Sequence, residues 1–121
     1  MSALYIFIGG GLGSVIRYLI GKGVISLEWT SFPLGTFVAN ILACSILAIL
    51  TISFDFKSNE NTWLQPLLMI GFCGGLSTFS TFSNETVQLI QTGHLWMAIA
   101  NIIISVTTGV SLILFIYSRT N

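Results

Sequence analysis

Charge is what this chain has least of. Of its 121 residues only 7% are charged, four basic and four acidic, for a net charge of zero. A soluble domain carries about 25% charged residues, so a soluble fold is excluded. Without a basic surplus, nothing holds a nucleic acid. Histidine occurs once and cysteine twice, as Cys44 and Cys73, both in apolar segments. No Ser-His-acid set, no paired intramembrane acids and no Cys/His metal spacing can be assembled, so an enzyme is not expected. The cysteines read as small buried hydrophobes rather than as a disulfide. The N-terminal stretch lacks a cationic start and runs on into further apolar chain, which predicts a first membrane helix rather than a cleaved leader.

What fills the chain instead is apolar sequence, 54% of all residues. Crossing a bilayer takes about 20 residues of helix. The runs predict one integral membrane domain over 1–121, all α-helical, with four transmembrane helices at about 4–24, 34–54, 64–91 and 95–117. Pro33 and Pro66 stand where the second and third helices begin, a position that tolerates proline. Trp29 and Trp63 read as interfacial anchors. Gly93 and His94 form a tight turn into the last helix.

The third span carries a signal against a continuous lipid-facing helix. Residues 61–84 hold no charge, yet Gly71, Gly74 and Gly75 loosen the backbone and are followed by Ser77, Thr78, Ser80, Thr81 and Ser83. Non-helical backbone at membrane depth persists only where protein or a water-filled cavity covers it. A break here is therefore expected to face inward and to offer carbonyls and hydroxyls to an ion, a substrate or a partner helix. Past the break, Phe79 and Phe82 share a helical face. Glu85 follows one turn on, where it either satisfies a loose backbone group or marks a vestibule.

Polar residues inside the other spans each admit two readings. Gly9 and Gly13 form a small-xxx-small pair for close helix approach. Arg17 lies about 20 Å into the first helix. It either snorkels outward toward the level of Lys22 or places a cation at the mouth of an anion path. Asn40, two turns into the second helix, makes an interhelical hydrogen bond or lines a pore. Asn101, Ser105 and Thr108 share one face of the last helix, which glues helices or lines a wet track. Four spans put Lys57 and Arg119 on one side and Lys22 with a snorkelled Arg17 on the other. Lys/Arg bias sets orientation, and here it is balanced. A chain that inserts both ways can form an antiparallel pair, and four short helices are too few to enclose a long pore alone.

Three segments resemble the CrcB/Fluc fluoride channel family. They are Gly9-Gly10-Gly11-Leu12-Gly13-Ser14-Val15-Ile16-Arg17-Tyr18, then Pro33-Leu34-Gly35-Thr36-Phe37-Val38-Ala39-Asn40, then Gly71-Phe72-Cys73-Gly74-Gly75-Leu76-Ser77-Thr78-Phe79-Ser80-Thr81-Phe82-Ser83. They stand in the family's order and spacing, and the third is the most specific. The resemblance implies an antiparallel dual-topology homodimer in the bacterial plasma (inner) membrane, passing fluoride out of the cytoplasm. It implies a structural sodium ion at the dimer centre, held by the carbonyls of Gly74 and Ser77, where the family often has threonine at the latter position. It implies an ion pathway through Asn40, Phe79 and Phe82, with Arg17 as the basic residue of the first helix and Asn101, Ser105 and Thr108 as the best placement of a helix-four track. Two other classes remain. A small multidrug exporter is expected to carry an acid in its first span, which here holds Arg17 instead. A non-transporting assembly protein needs neither a broken helix nor a polar track.

Overall fold

The computed structural model describes residues 2–25, 32–54 and 62–119. The connection 26–31 with Trp29, and the loop 55–61 with Lys57, lie outside the described residues. Helix α1 runs Ser2–Ile25 and α2 Leu34–Ser53. The third span opens as a π-helix over Gln65–Cys73, continues as the single turn α3 (Gly74–Leu76), breaks, and resumes as α4 (Phe79–Gln91). Helix α5 covers Leu95–Ser118. Each of the four spans is long and apolar enough to cross a bilayer, and the chain is a multi-pass membrane protein. The ends fall within two residues of the expected ones. The π-helical opening was not foreseen, since the apolar pattern there suits any helix. Such i→i+5 runs are rare and cluster at functional sites.

Small residues make the packing. Lipid tails are as apolar as leucine, so association within a bilayer rests on close van der Waals contact rather than on escape from water. Helix α1 lies along the π-helical segment and α3. A Cβ on Gly9 would overlap the Leu67 carbonyl oxygen, and one on Gly13 the Phe72 carbonyl oxygen. Glycine is therefore required at both, and its Cα hydrogens face those oxygens as weak donors. Helix α2 buries Ala39, Ala43 and Ala48. Ala39 and Ala43 form a small core with Leu76 of α3, against which Ile20, Ile46 and Phe72 pack. Helix α5 meets α2 closely enough that a Cβ on Gly109 would touch Cys44 Sγ at 3.4 Å. The large apolar side chains Phe7, Leu12, Leu19, Ile103 and Leu114 are exposed.

Helix α4 ends on Gly93, whose φ of 85° is the left-handed conformation that favours glycine. His94 N–H reaches back to Leu89 O at 2.8 Å and closes the turn. So short a connection makes α4 and α5 antiparallel neighbours. Three helices thus converge on the break in the third span: α1 on one side, α2 and α5 on the other.

Candidate functional site

The break is two residues long and is held from several directions. Ser77 (φ −84°, ψ 157°) and Thr78 (φ −152°, ψ 125°) are extended. Ser77 N–H and Oγ–H both return to Cys73 O, at 3.0 and 2.9 Å. Thr78 Oγ1 caps α4 by accepting Thr81 N–H at 3.2 Å. Asn40 on α2 then latches this extended pair: its Oδ1 accepts Thr78 N–H at 2.8 Å and its Nδ2 donates to Thr78 O at 3.4 Å. From the other side, Arg17 Nε of α1 donates to Gly75 O at 3.1 Å. The arginine is turned inward onto a carbonyl that the interrupted ladder no longer serves, rather than outward along its own helix.

Two carbonyls are freed in the same stroke. In a continuous helix Thr78 N–H would close on Gly74 O, and Thr81 N–H on Ser77 O. The first donor is taken by Asn40 Oδ1 and the second by Thr78 Oγ1. Gly74 O and Ser77 O therefore lose the donors an unbroken helix would give them. Carbonyl oxygens of this kind suit a hard cation such as sodium, which binds oxygen dipoles in place of water. The Ser77 hydroxyl donates its proton to Cys73 O and keeps its lone pairs, so that residue carries a backbone and a side-chain oxygen. The residues thus fit a sodium ion.

On the α2–α5 side the break opens into a cleft of about 380 Å³. The walls include Asn40 and Cys44 from α2, Ser77 and Thr78 from the break, Phe79 and Phe82 from α4, and Ser105 with Gly109 from α5. Among the described residues, no charged side chain lines it. The Phe79 and Phe82 ring centroids are 6.1 Å apart and tilted by 41°. Phe79 is 79% exposed, a large ring at the break that the other described residues leave mostly uncovered. Each amide nitrogen carries two hydrogens, so Asn40 can hold Thr78 with one and still present the other to the cleft.

Of the residues drawn from the sequence as a pathway, the fold brings Asn40, Phe79, Phe82 and Ser105 together. It does not bring Arg17, Asn101 or Thr108 to the cleft wall. Arg17 sits behind the break on Gly75 O. Asn101 is only 1% exposed and lies between helices, donating to Thr86 Oγ1 at 3.0 Å and accepting from Ser105 Oγ at 3.2 Å. Thr108 shares an arc with Ser105 in sequence, but the packing of α5 against α2 turns Gly109 inward. Cys44 and Gly109 are wall residues that sequence reading passed over, because a cysteine and a glycine among apolar neighbours carry no polar signal. Glu85 is partly buried, and its Oε1 has no hydrogen-bond partner among the described residues.

Residues 4–117 match the protein family described as "CrcB-like protein, Camphor Resistance (CrcB)". The chain is similar to a protein of Phocaeicola vulgatus named "Fluoride-specific ion channel FluC", 42% identical over 109 residues, which covers 90% of this chain and 89% of the relative. It is 40% identical over 105 residues to a protein of the same name from Flavobacterium psychrophilum, covering 87% and 85% of the two chains. A third of that name, from Pyrococcus horikoshii, is 41% identical over 120 residues, covering 94% and 93%. These relatives carry the name of a channel and not of an enzyme. With nearly the whole length matched and the helix break and its glycine-packed first span in place, the chain belongs to the CrcB family of FluC-type channel proteins.

Proposed function

We propose that this protein is a fluoride-specific channel that lets fluoride leave the cytoplasm and so relieves its toxicity. The observation that carries this reading is the cleft at the helix break, where Asn40, Ser105 and the rings of Phe79 and Phe82 meet with no charged group among the described residues. Fluoride is small and strongly hydrated, so a pore must replace its water donors. A free amide hydrogen of Asn40 does this, and so does a hydroxyl whose proton is not already donated within the protein, as that of Ser105 is to Asn101 Oδ1. Phenylalanine edges carry the positive part of the ring quadrupole, which lets them face an anion without holding it. A full cation on the wall would deepen the well, and conduction requires that the ion leave. Arg17, committed to Gly75 O behind the break, supplies positive potential there without that deep well.

The working unit in this proposal is an antiparallel, dual-topology homodimer. The balanced basic residues of the sequence support it, as does Phe79, whose large ring stays mostly exposed among the described residues. A structural sodium ion sits at the dimer centre on the carbonyls of Gly74 and Ser77. When bound, it neutralises the carbonyl dipoles that the break exposes. The protein's own part is to keep those oxygens free, by diverting Thr78 N–H to Asn40 and Thr81 N–H to the Thr78 hydroxyl.

The test is fluoride efflux from liposomes carrying the purified protein, with chloride as the competing anion. Rapid fluoride release with no chloride release is the expected result. Equal passage of both anions, or of neither, would overturn the reading.

A further inference from the structure

Among the described residues, Leu76 and Asn101 are the largest fully buried side chains, and Asn101 is the polar one. It forms the middle of a directed chain. Ser105 O–H donates to Asn101 Oδ1 (3.2 Å), Asn101 Nδ2 donates to Thr86 Oγ1 (3.0 Å), and Thr86 O–H donates to Phe82 O (2.8 Å). Both ends belong to residues of the cleft, Ser105 and Phe82. The direction matters. In this arrangement Ser105 spends its only proton on Asn101 and turns lone pairs toward the cleft, which repels an anion.

The same four groups have a second arrangement. The two ends of an amide are nearly equal in shape, and its terminal torsion is broad and two-fold. With the amide reversed, Nδ2 donates to Ser105 Oγ, Thr86 O–H donates to Oδ1, and Ser105 O–H is released to the cleft. Phe82 O keeps Thr86 N–H, its partner in the helical ladder of α4. The count balances: three hydrogen bonds within the protein become two within it and one to the anion. No buried polar group is stranded in either state, so neither state bears the penalty that usually forbids rearranging a buried network.

Resting on the channel reading, we propose that Asn101 is a positioning residue: reversal of its buried amide switches Ser105 from presenting lone pairs to presenting a proton to fluoride. Asn101 itself never faces the ion. The wall therefore becomes a donor when fluoride is there to accept, and the proton is taken back when the ion moves on, as conduction requires.

Fluoride efflux from liposomes is measured for wild type, Asn101→Leu, Ser105→Ala and the double variant, with size exclusion of each. Each single change should slow efflux about tenfold or more, the worth of one hydrogen bond to a charged group. The double variant should be no slower than the worse single one, since both remove the same donor. In parallel, the side-chain amide of Asn101 is followed by nitrogen-15 NMR in the detergent-solubilised wild type, identified by its loss in Asn101→Leu. Sodium fluoride should shift it, sodium chloride should not, and Ser105→Ala should abolish the shift. A purely structural amide would not respond to the anion. Wild-type efflux with Asn101→Leu unimpaired, or multiplicative losses in the double variant, or an amide blind to fluoride, would each overturn this proposal alone. Absence of efflux in the wild type would overturn the channel reading and this proposal with it. If Asn101→Leu does not assemble, Ser105→Ala and the wild-type titration decide the matter.

Discussion

Replacing Asn40 by leucine is the sharpest perturbation of the break. Leucine keeps the approximate volume and removes both bonds to Thr78. The bond from Thr78 N–H is 2.8 Å and of ordinary strength; the bond from Nδ2 to Thr78 O is 3.4 Å and weak. The second loss costs little, because α4 supplies Thr78 O with the Phe82 N–H. The first leaves a part-buried N–H without its acceptor, a cost of about 1–3 kcal/mol. That corresponds to a shift of roughly 5- to 150-fold in the local equilibrium. The N–H has one place to go: Gly74 O, its partner in a continuous helix. The break then heals, and one of the two freed carbonyls is withdrawn. Asn40→Leu should therefore both slow fluoride efflux by at least tenfold and weaken sodium binding, while the four spans still fold. Asn40→Asp keeps an acceptor at Oδ, so it should retain sodium and the open break even though its charge opposes the anion. Hydrogen exchange at the Thr78 amide distinguishes the two variants. Normal efflux and unchanged exchange in Asn40→Leu would refute both the latch and the place of Asn40 in the path.

The other expectations follow from neighbouring groups. Phe79→Ile and Phe82→Ile keep apolar bulk and remove the quadrupole; each should cost about 1.5 kcal/mol or less in stability, yet lower fluoride efflux by orders of magnitude, and near-normal efflux in both would remove the rings from the pathway. Ser77→Ala should retain sodium, since the proposed ligand is the backbone oxygen; loss of the ion in a binding titration would point to the side chain instead. Three lysines added to the 55–61 loop should bias insertion to one direction and abolish activity, and full efflux from a uniformly oriented population would sink the antiparallel pair. Gly9→Val should separate α1 from the π-helical segment, because its side chain would occupy the place of Leu67 O; a thermal midpoint unchanged from wild type would contradict that close contact.

Much of the architecture was legible in the sequence, for reasons that trace to the bilayer. Lipid offers backbone groups no partner, so each apolar run of sufficient length had to become a helix, and the runs ending near Val24, Phe54, Gln91 and Tyr117 did. The break was legible because glycines followed by hydroxyl residues announce freed backbone that must be satisfied locally; Ser77 and Thr78 satisfy it in that way. The small-residue pair Gly9 and Gly13 announced a close helix contact without saying with which span. The π register over Gln65–Cys73 had no such announcement, since a shift from i+4 to i+5 bonding leaves the composition unchanged.

Side-chain duties divided differently. For Asn40 the sequence left an interhelical bond and a wall position as alternatives; the fold gives it both, because Thr78 comes within reach of one end of the amide while the cleft opens beside it. Arg17 was equally open, and its partner, Gly75 O, lies 58 residues away in the chain. Asn101 and Ser105 look alike on a helical wheel, yet one is sealed between α4 and α5 and the other reaches the cleft. Hydropathy and backbone chemistry act within one segment, so the sequence alone determined the number of spans, their placement and the site of the break. Which carbonyl an arginine meets, which face of α5 is dry and which protons point into the cleft depend on where distant segments are brought together. Those were decided only by the packing of glycine and alanine faces against one another, where a single methyl group sets how closely two helices can lie.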